Sequence, residues 1–161
     1  MTTTIRPYED ADGDAVVELS LRAWAPVFAS IHGVLGKRLF THFYGPDWRD
    51  AQAADVRRAC RAYDVLVADD DARVVGFTAI DLPPGTEEGE IYMVAVDPVA
   101  QNRGIGTLLT EAAVERMRAA GKRMAVVETG SNPGHAPARA TYEKAGFVAW
   151  PSHKFYRLLD E

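Results

Sequence analysis

Apolar positions along the chain change their period several times, and each change marks an element. Thr3–Arg6 reads as a short opening strand, which Pro7 ends or edges because proline cannot donate to a ladder. Asp10–Gly13 supplies cap-type residues ahead of Ala15, Val16, Leu19 and Ala23, a helical spacing. Trp24–Tyr44 is aromatic and mostly helical, with a break expected around Gly33 and Gly36, and Ala51–Tyr63 predicts a further helix with arginines on its outer face. The period then shortens. Val65–Ala68 stops at Asp69–Asp71, a hairpin turn, and Val74–Leu82 follows as the partner strand. Pro83–Glu88 is a loop. Glu90–Val96 is apolar after its first position, the mark of a central strand covered on both faces.

Asp97–Arg103 connects that strand to the clearest helix, Gly104–Ala120. Ile105, Leu108, Leu109, Ala112, Ala113, Arg116, Met117 and Ala120 form its inner stripe, and only Arg116 is not apolar. Gly121 stands where a left-handed C-terminal cap belongs. Met124–Glu128 is the next strand and Gly130–Gly134 a loop. Pro137 suits the first turn of a helix that continues through Ala138–Ala145 to Gly146. Phe147–Trp150 and Lys154–Leu159 are expected as two closing strands. With no repeat, linker or low-complexity segment, residues 1–161 are expected to form one α/β domain.

Composition narrows the function. Hydrophobic residues make up 47% of the 161 and charged residues 25%, an ordinary globular balance. A net charge of -5 with no basic stripe excludes duplex binding by counterion release. The apolar runs are too short to span a bilayer, so no membrane partner is expected. Met1–Arg6 is polar with no apolar segment behind it, so no signal peptide is expected and the cytoplasm is the expected location. Cys60 is alone, which rules out an intrachain disulfide, and the four histidines have no metal-ligand spacing. No metal is therefore expected. Serine and cysteine nucleophiles lack an elbow or partner motif.

The informative stretch is Val94-Ala-Val-Asp-Pro-Val-Ala-Gln-Asn-Arg-Gly-Ile-Gly-Thr107, a strand feeding a glycine-bearing loop that opens a long amphipathic helix. The first amides of a helix lack internal acceptors and carry the positive end of its dipole. Gly104 and Gly106 let a ligand approach the backbone, so the pattern suits a phosphate or pyrophosphate. A glycine-rich helix start without a ligand is the plain alternative. A dinucleotide fold is a further rival: Gly104-Ile-Gly106 supplies two fingerprint glycines, and Glu128 ends the next strand. Against it, Leu109 takes the third glycine's place, and Asp97–Arg103 separates strand from loop. No Gly-Lys-Ser/Thr follows for a Walker loop.

Gln101-Asn-Arg-Gly-Ile-Gly106 resembles the Q/R-x-x-G-x-G/A signature of the GNAT family of N-acetyltransferases. Glu90-Ile-Tyr-Met-Val-Ala-Val-Asp-Pro98 is similar to that family's central strand, and Tyr142-Glu-Lys-Ala-Gly-Phe147 to its late helix and following strand. The likeness runs from about Val65 to Phe147. It implies a mixed, mostly antiparallel sheet flanked by helices on both faces. It also implies acetyl-CoA as cosubstrate and a small-molecule or peptide amine as acceptor. By the same resemblance the pyrophosphate rests on the amides of Gln101, Asn102, Arg103, Gly104, Ile105, Gly106 and Thr107, and the pantetheine arm pairs with the backbone of Val94, Ala95 and Val96. The chain departs from the pattern at His135, where the family commonly has a cofactor-contacting asparagine; Asn132 is out of register. A homodimer is compatible with the resemblance.

Amine acetylation makes a definite demand. An alkyl ammonium with a pKa of about 10.4 must lose its proton, at a cost of roughly 4.6 kcal/mol at pH 7. The resemblance puts a general base at Glu90, which period two would place on one face with Tyr92, Val94 and Val96. Glu128 and a water chain are the alternatives for that role. Tyr142 shares an inward helix face with Ala138 and Ala145, and the resemblance gives it the proton for the departing thiolate; a core tyrosine is the structural alternative. Trp24, Phe28, His32, Tyr44 and Trp48 cluster in the N-terminal helices, a stripe more often core than cage. A CoA-binding sensor without turnover is the competing function.

Overall fold

The computed structural model describes residues 2–160. Its strands are β1 (Thr3–Pro7), β2 (Asp64–Asp70), β3 (Arg73–Asp81), β4 (Glu88–Val96) and β5 (Met124–Val127). Its helices are α1 (Gly13–Tyr44), α2 (Trp48–Ala62), α3 (Ile105–Ala119) and α4 (Ala136–Lys144). The five strands form one sheet in sequence order, antiparallel from β1 to β4, with β5 parallel to β4. A parallel neighbour requires a crossover, and α3 provides it.

Helices cover both faces. On one, Val16, Val17 and Leu19 of α1 and Val56 and Ala59 of α2 bury Val67, Phe77, Ala79, Met93 and Ala95. On the other, Ala113 and Met117 of α3 pack on Leu66, Ile80 and Ile91, while Ile105 and Leu109 pack on Ala68 and Val75. The β2–β3 hairpin turns through Asp71 and Ala72, both left-handed, and the Asp69 carboxylate accepts from the Ala72 amide at 2.8 Å. Arg116, the one charged member of the α3 stripe, pairs with Asp64 at 2.7 Å. Gly121, at φ +78°, closes α3 with amide bonds from Gly121 to Arg118 and from Lys122 to Met117.

Four expectations are corrected. The long aromatic helix breaks at Gly36 (φ 74°, ψ 165°) and stays helical through Gly33. One break suffices to turn the chain back, so that Phe40 and Tyr44 meet the edge of Phe28 at 6.3 and 5.0 Å between centroids. The inner stripe of α3 is narrower than the pattern: Leu108 is 46% exposed, and buried Thr110 takes part instead, its hydroxyl donating to the Gly106 carbonyl at 2.8 Å.

The third correction concerns β4. Ala79 pairs with Met93 and Ile80 with Ile91, so Tyr92 is an extra, bulged residue. The bulge shifts the phase. Tyr92 packs with Met93 and Ala95 on the α1–α2 side, whereas Val94 and Val96 pack on the α3 side. Alternation back from Ile91, which packs on α3, gives Glu90 the face of Tyr92 and not that of Val94 and Val96.

The fourth concerns the end of the chain. Phe147–Trp150 and Lys154–Leu159 form no strands. Val148, Trp150, Phe155 and Leu159 lie open to solvent, Trp150 at 92%. A strand-like sequence becomes a strand only where it joins a ladder. This segment instead touches the body through side chains: Lys154 on Glu128 at 3.2 Å, Tyr156 edge-on to Phe43, and Asp160 near Arg38 at 3.6 Å.

Candidate functional site

Pairing between β4 and β5 runs only from Glu88–Met124 to Ile91–Val127. β4 continues to Val96 beside β3, so from Tyr92 onward its other edge has no strand partner among the described residues. The result is a notch in the sheet, bordered by the edge of β4 from Val94 to Val96, whose outward backbone groups have no strand partner. Each such group seeks a hydrogen bond.

The loop above the notch is built by local bonds. The Asp97 carboxylate accepts from the Val99 amide at 3.3 Å, and Pro98–Ala100 makes one turn of 3₁₀ helix. Gln101 Nε2 donates to the Val96 carbonyl at 3.1 Å, fastening the loop to the strand it leaves. Asn102 is left-handed at φ 62°, and the Arg103 guanidinium is held by Asp70 at 2.8 Å. The side chains of Gln101 and Arg103 are thus spent on the protein, and the loop offers a ligand chiefly its backbone. Gly104 is left-handed at φ 78°, with open space where a side chain would project. The first internal bond of α3 runs from the Leu108 amide to the Gly104 carbonyl at 3.0 Å. Helix geometry therefore leaves the amides of Ile105, Gly106 and Thr107 without intrahelical acceptors. A β-carbon on Gly106 would sit 3.9 Å from both Val96 and Thr141, so the start of α3, the end of β4 and α4 converge there.

A residue that sequence reasoning missed anchors this corner. Asp97 is 1% exposed and bonds Arg22 of α1 at 2.7 Å, with Arg73 of β3 at 3.6 Å. Burial works against its carboxylate, but the Arg22 and Val99 bonds outweigh that and hold its pKa below the usual range. The signal was available in Asp97-Pro98, a cap-type pair at a strand end, but its two arginine partners are distant in sequence.

Across the notch, β5 leads into a loop pinned to α1. Ser30 accepts from the Gly134 amide at 2.9 Å and from Asn132 Nδ2 at 3.0 Å. Gly134 has to be small, since an added β-carbon would lie 2.8 Å from the Ser30 β-carbon. His135 Nδ1 donates to Asn132 Oδ1 at 2.6 Å, and burial pushes the imidazole pKa down, with Arg139 adding to the effect. His135 is therefore part of a structural knot and not a freely solvated side chain.

Tyr142 is 8% exposed on α4, with the Phe147 ring edge-on at 5.9 Å. Burial pushes its phenol up to about 12. Glu90 is half-buried, and its carboxyl is raised by burial, then by the charges of Asp81 and Glu128. Asp81 lies opposite it on β3, and Val126, two residues before Glu128, lies opposite on β5. Three carboxylates thus converge at the lower end of the notch, and Glu128 is also partnered by Lys154. Tyr92, on the same face as Glu90, donates to Asp55 of α2 at 3.0 Å. The aromatic cluster is packing: Phe28 stacks on Trp48 at 4.4 Å, and Trp24 meets Phe77 edge-on. Among the described residues no group of three or more metal-ligating side chains could hold an ion, and no helix is long and apolar enough to cross a membrane.

The Acetyltransferase (GNAT) family model matches residues 36–147. A mycothiol acetyltransferase of Corynebacterium glutamicum is 32% identical over 158 residues, 92% of this chain and 51% of the relative. The chain spans about a fifth to a half of the length of the curated relatives it matches. A putative GNAT acetyltransferase of Desulfovibrio desulfuricans superposes with a TM-score of 0.69 at 25% identity, covering 93% of this chain and 87% of that one. The PaiA N-acetyltransferase of Thermoplasma acidophilum, solved with coenzyme A, gives a TM-score of 0.73 at 15% identity, covering 95% and 94%.

Proposed function

The chain belongs to the acetyltransferase (GNAT) family, and from that premise we propose that it transfers acetyl from acetyl-CoA to a primary amine by direct attack in a ternary complex. One observation carries the reading. The open edge of β4 and the free amides at the start of α3 lie side by side, a slot for an amide-bearing arm next to a cradle for phosphates. The open space at Gly104 fits that group, because nothing stands between the backbone and an incoming pyrophosphate.

Acetyl-CoA supplies the acetyl group as a thioester. The chain's own residues do the rest. The amides of Ile105, Gly106 and Thr107 hold the phosphates, with Gln101, Asn102, Arg103 and Gly104 shaping their approach. The backbone of Val94, Ala95 and Val96 orients the arm. Glu90 Oε accepts the proton of the acceptor ammonium. Burial and its two acidic neighbours make it a stronger base than a free carboxylate and also attract a cation. Tyr142 Oη donates a hydrogen bond to the departing sulfur. Complete transfer from a phenol at about 12 to a thiolate of pKa about 8.5 is uphill by roughly 5 kcal/mol, so donation without full transfer suffices.

The test is release of free thiol from acetyl-CoA with a panel of amines, beside calorimetry with CoA and with NAD. Amine-dependent thiol release supports the enzyme. CoA binding with no release across the panel assigns the sensor reading, and affinity for NAD alone overturns the acetyl-CoA reading.

A further inference from the structure

The hairpin after β2 carries three successive aspartates, Asp69, Asp70 and Asp71, and the middle one does not serve the turn. Asp69 accepts from the Ala72 amide and from Arg6 Nε, and Asp71 is left-handed in the turn itself. Asp70 is 6% exposed and spends both carboxylate oxygens elsewhere. One accepts from the Thr3 hydroxyl at 2.7 Å, directly opposite on β1. The other accepts from Arg103 at 2.8 Å, beyond β3 in the loop ahead of α3. These bonds, that of Arg103 first and then that of Thr3, hold its carboxyl below the usual range, so it stays charged at neutral pH.

Arg103 stands between the two left-handed residues of the loop, Asn102 at φ 62° and Gly104 at φ 78°. A free chain seldom visits the left-handed region at a residue other than glycine, so the loop needs ties to hold its shape. Beyond the Asp97 corner, side chains tie it at two points. Gln101 bonds the Val96 carbonyl on the strand it leaves, and Arg103 reaches Asp70 two strands away. The first tie is local, and the second fastens the loop to the sheet as a whole. Ala68, on the same face of β2 as Asp70, packs with Ile105 and Leu109 of α3, so the tie and the packing act on one corner.

We propose that Asp70 is a positioning residue for the phosphate cradle, holding the loop from Gln101 to Gly104 through Arg103 in the shape that receives the cosubstrate's pyrophosphate. This rests on the acetyl-CoA reading above. Charge and position pull binding in opposite directions. As a point charge, a carboxylate near a phosphate site repels the ligand, and its removal should tighten binding. As a tie, its removal frees a loop and a long side chain that the ligand must then order, which weakens binding. The tie dominates, because the guanidinium that Asp70 holds already neutralises its charge.

The experiment compares wild type, Asp70→Ala, Arg103→Ala, the double variant and Thr3→Val. Calorimetry with CoA is read beside thermal melting and beside steady-state kinetics with acetyl-CoA. Asp70→Ala should bind CoA about fivefold more weakly, the scale of re-ordering one freed side chain. Its KM for acetyl-CoA should rise while kcat stays close to wild type. The double variant should lose no more affinity than Arg103→Ala alone, since each single change breaks the same tie. Thr3→Val removes the other bond to Asp70; it should lower the melting temperature and leave CoA affinity as it was. Equal or tighter CoA binding by Asp70→Ala overturns the proposal while leaving the acetyl-CoA reading intact. So do losses that multiply in the double variant, a loss of affinity that Thr3→Val shares, or a fall in kcat with KM unmoved. If Asp70→Ala does not fold, Asp70→Asn, which keeps the shape without the charge, is read against the same outcomes. Wild type that binds no CoA overturns both.

Discussion

The two halves of β4 differ in both composition and pairing. From Glu88 to Ile91 the strand is paired on both edges, and its polar side chain Glu90 meets Asp81 and Glu128. From Tyr92 to Val96 it is paired on one edge only, its side chains are neutral, and it leads to a helix N-terminus. The closed half therefore offers negative charge and the open half offers unpaired backbone and positive dipole. A cationic amine suits the first and a phosphorylated, amide-bearing cosubstrate the second. The bulge at Tyr92 divides them. On the function proposed above, a single strand serves two reactants because its hydrogen-bond ladder with β5 stops halfway.

The sharpest way to break that division is at Tyr142 of α4. Tyr142→Phe removes one oxygen and keeps the ring against Phe147. If Tyr142 serves the leaving group, kcat should fall by about 10²–10⁴ with little change in CoA affinity or melting temperature. Steady-state kinetics beside calorimetry would check it, and a fully active variant would make Tyr142 a core residue.

Glu90→Gln acts on the closed half. Turnover at neutral pH should drop about a hundredfold and recover in part as pH rises, since free amine then forms without a base. CoA binding should not move. An unaltered pH–rate profile would hand the base role to Glu128 or to water.

Gly104→Asp sharpens the comparison from the open half. Aspartate tolerates the left-handed conformation better than most residues, and nothing lies within 4 Å of its β-carbon. The carboxylate favours the helix dipole, so the fold should hold. It should nonetheless repel phosphates, and CoA affinity should fall by about tenfold or more. Titration of the folded variant decides, and unchanged affinity removes the cradle from the start of α3.

Much of this was legible in the sequence, and what was not shares a cause. The β4–loop–α3 unit reads directly because its signals are local: apolar period, two glycines, a left-handed cap at Gly121. Asp97, Asp70 and Ser30 escaped because their meaning lies in partners far along the chain. The face of Glu90 escaped because a bulge is written in the pairing of β3 with β4, not in β4 itself. Phe147–Trp150 and Lys154–Leu159 carry a strand's composition, yet β5 spans only Met124–Val127 and receives neither. Composition proposes a strand and an available edge decides it.

The smallest expected effect tests what holds the two halves in one frame. Asp97 ends β4 and joins it to α1 through Arg22 and to β3 through Arg73. Asp97→Asn keeps an oxygen for the Val99 amide but replaces the oxygen that faces Arg22 and Arg73 with an N–H₂, which removes the charge and that acceptor together. Arg22 and Arg73 are half-exposed or more, so solvent screens the loss. Unfolding free energy at pH 7 should drop by about 1 kcal/mol, since screening keeps the ion pair well below a fully buried one. The pH dependence follows from the sign of the shift. A carboxyl whose pKa is lower folded than unfolded stabilises above its unfolded value, near 3.9, and loses that contribution as pH falls through the folded value. Wild type and Asp97→Asn should therefore differ at pH 7 and converge as pH falls through the folded value. Denaturant melts across that acid range measure this. A gap that persists in acid would mean that Asp97 acts by shape, and that the corner joining the two halves does not depend on its charge.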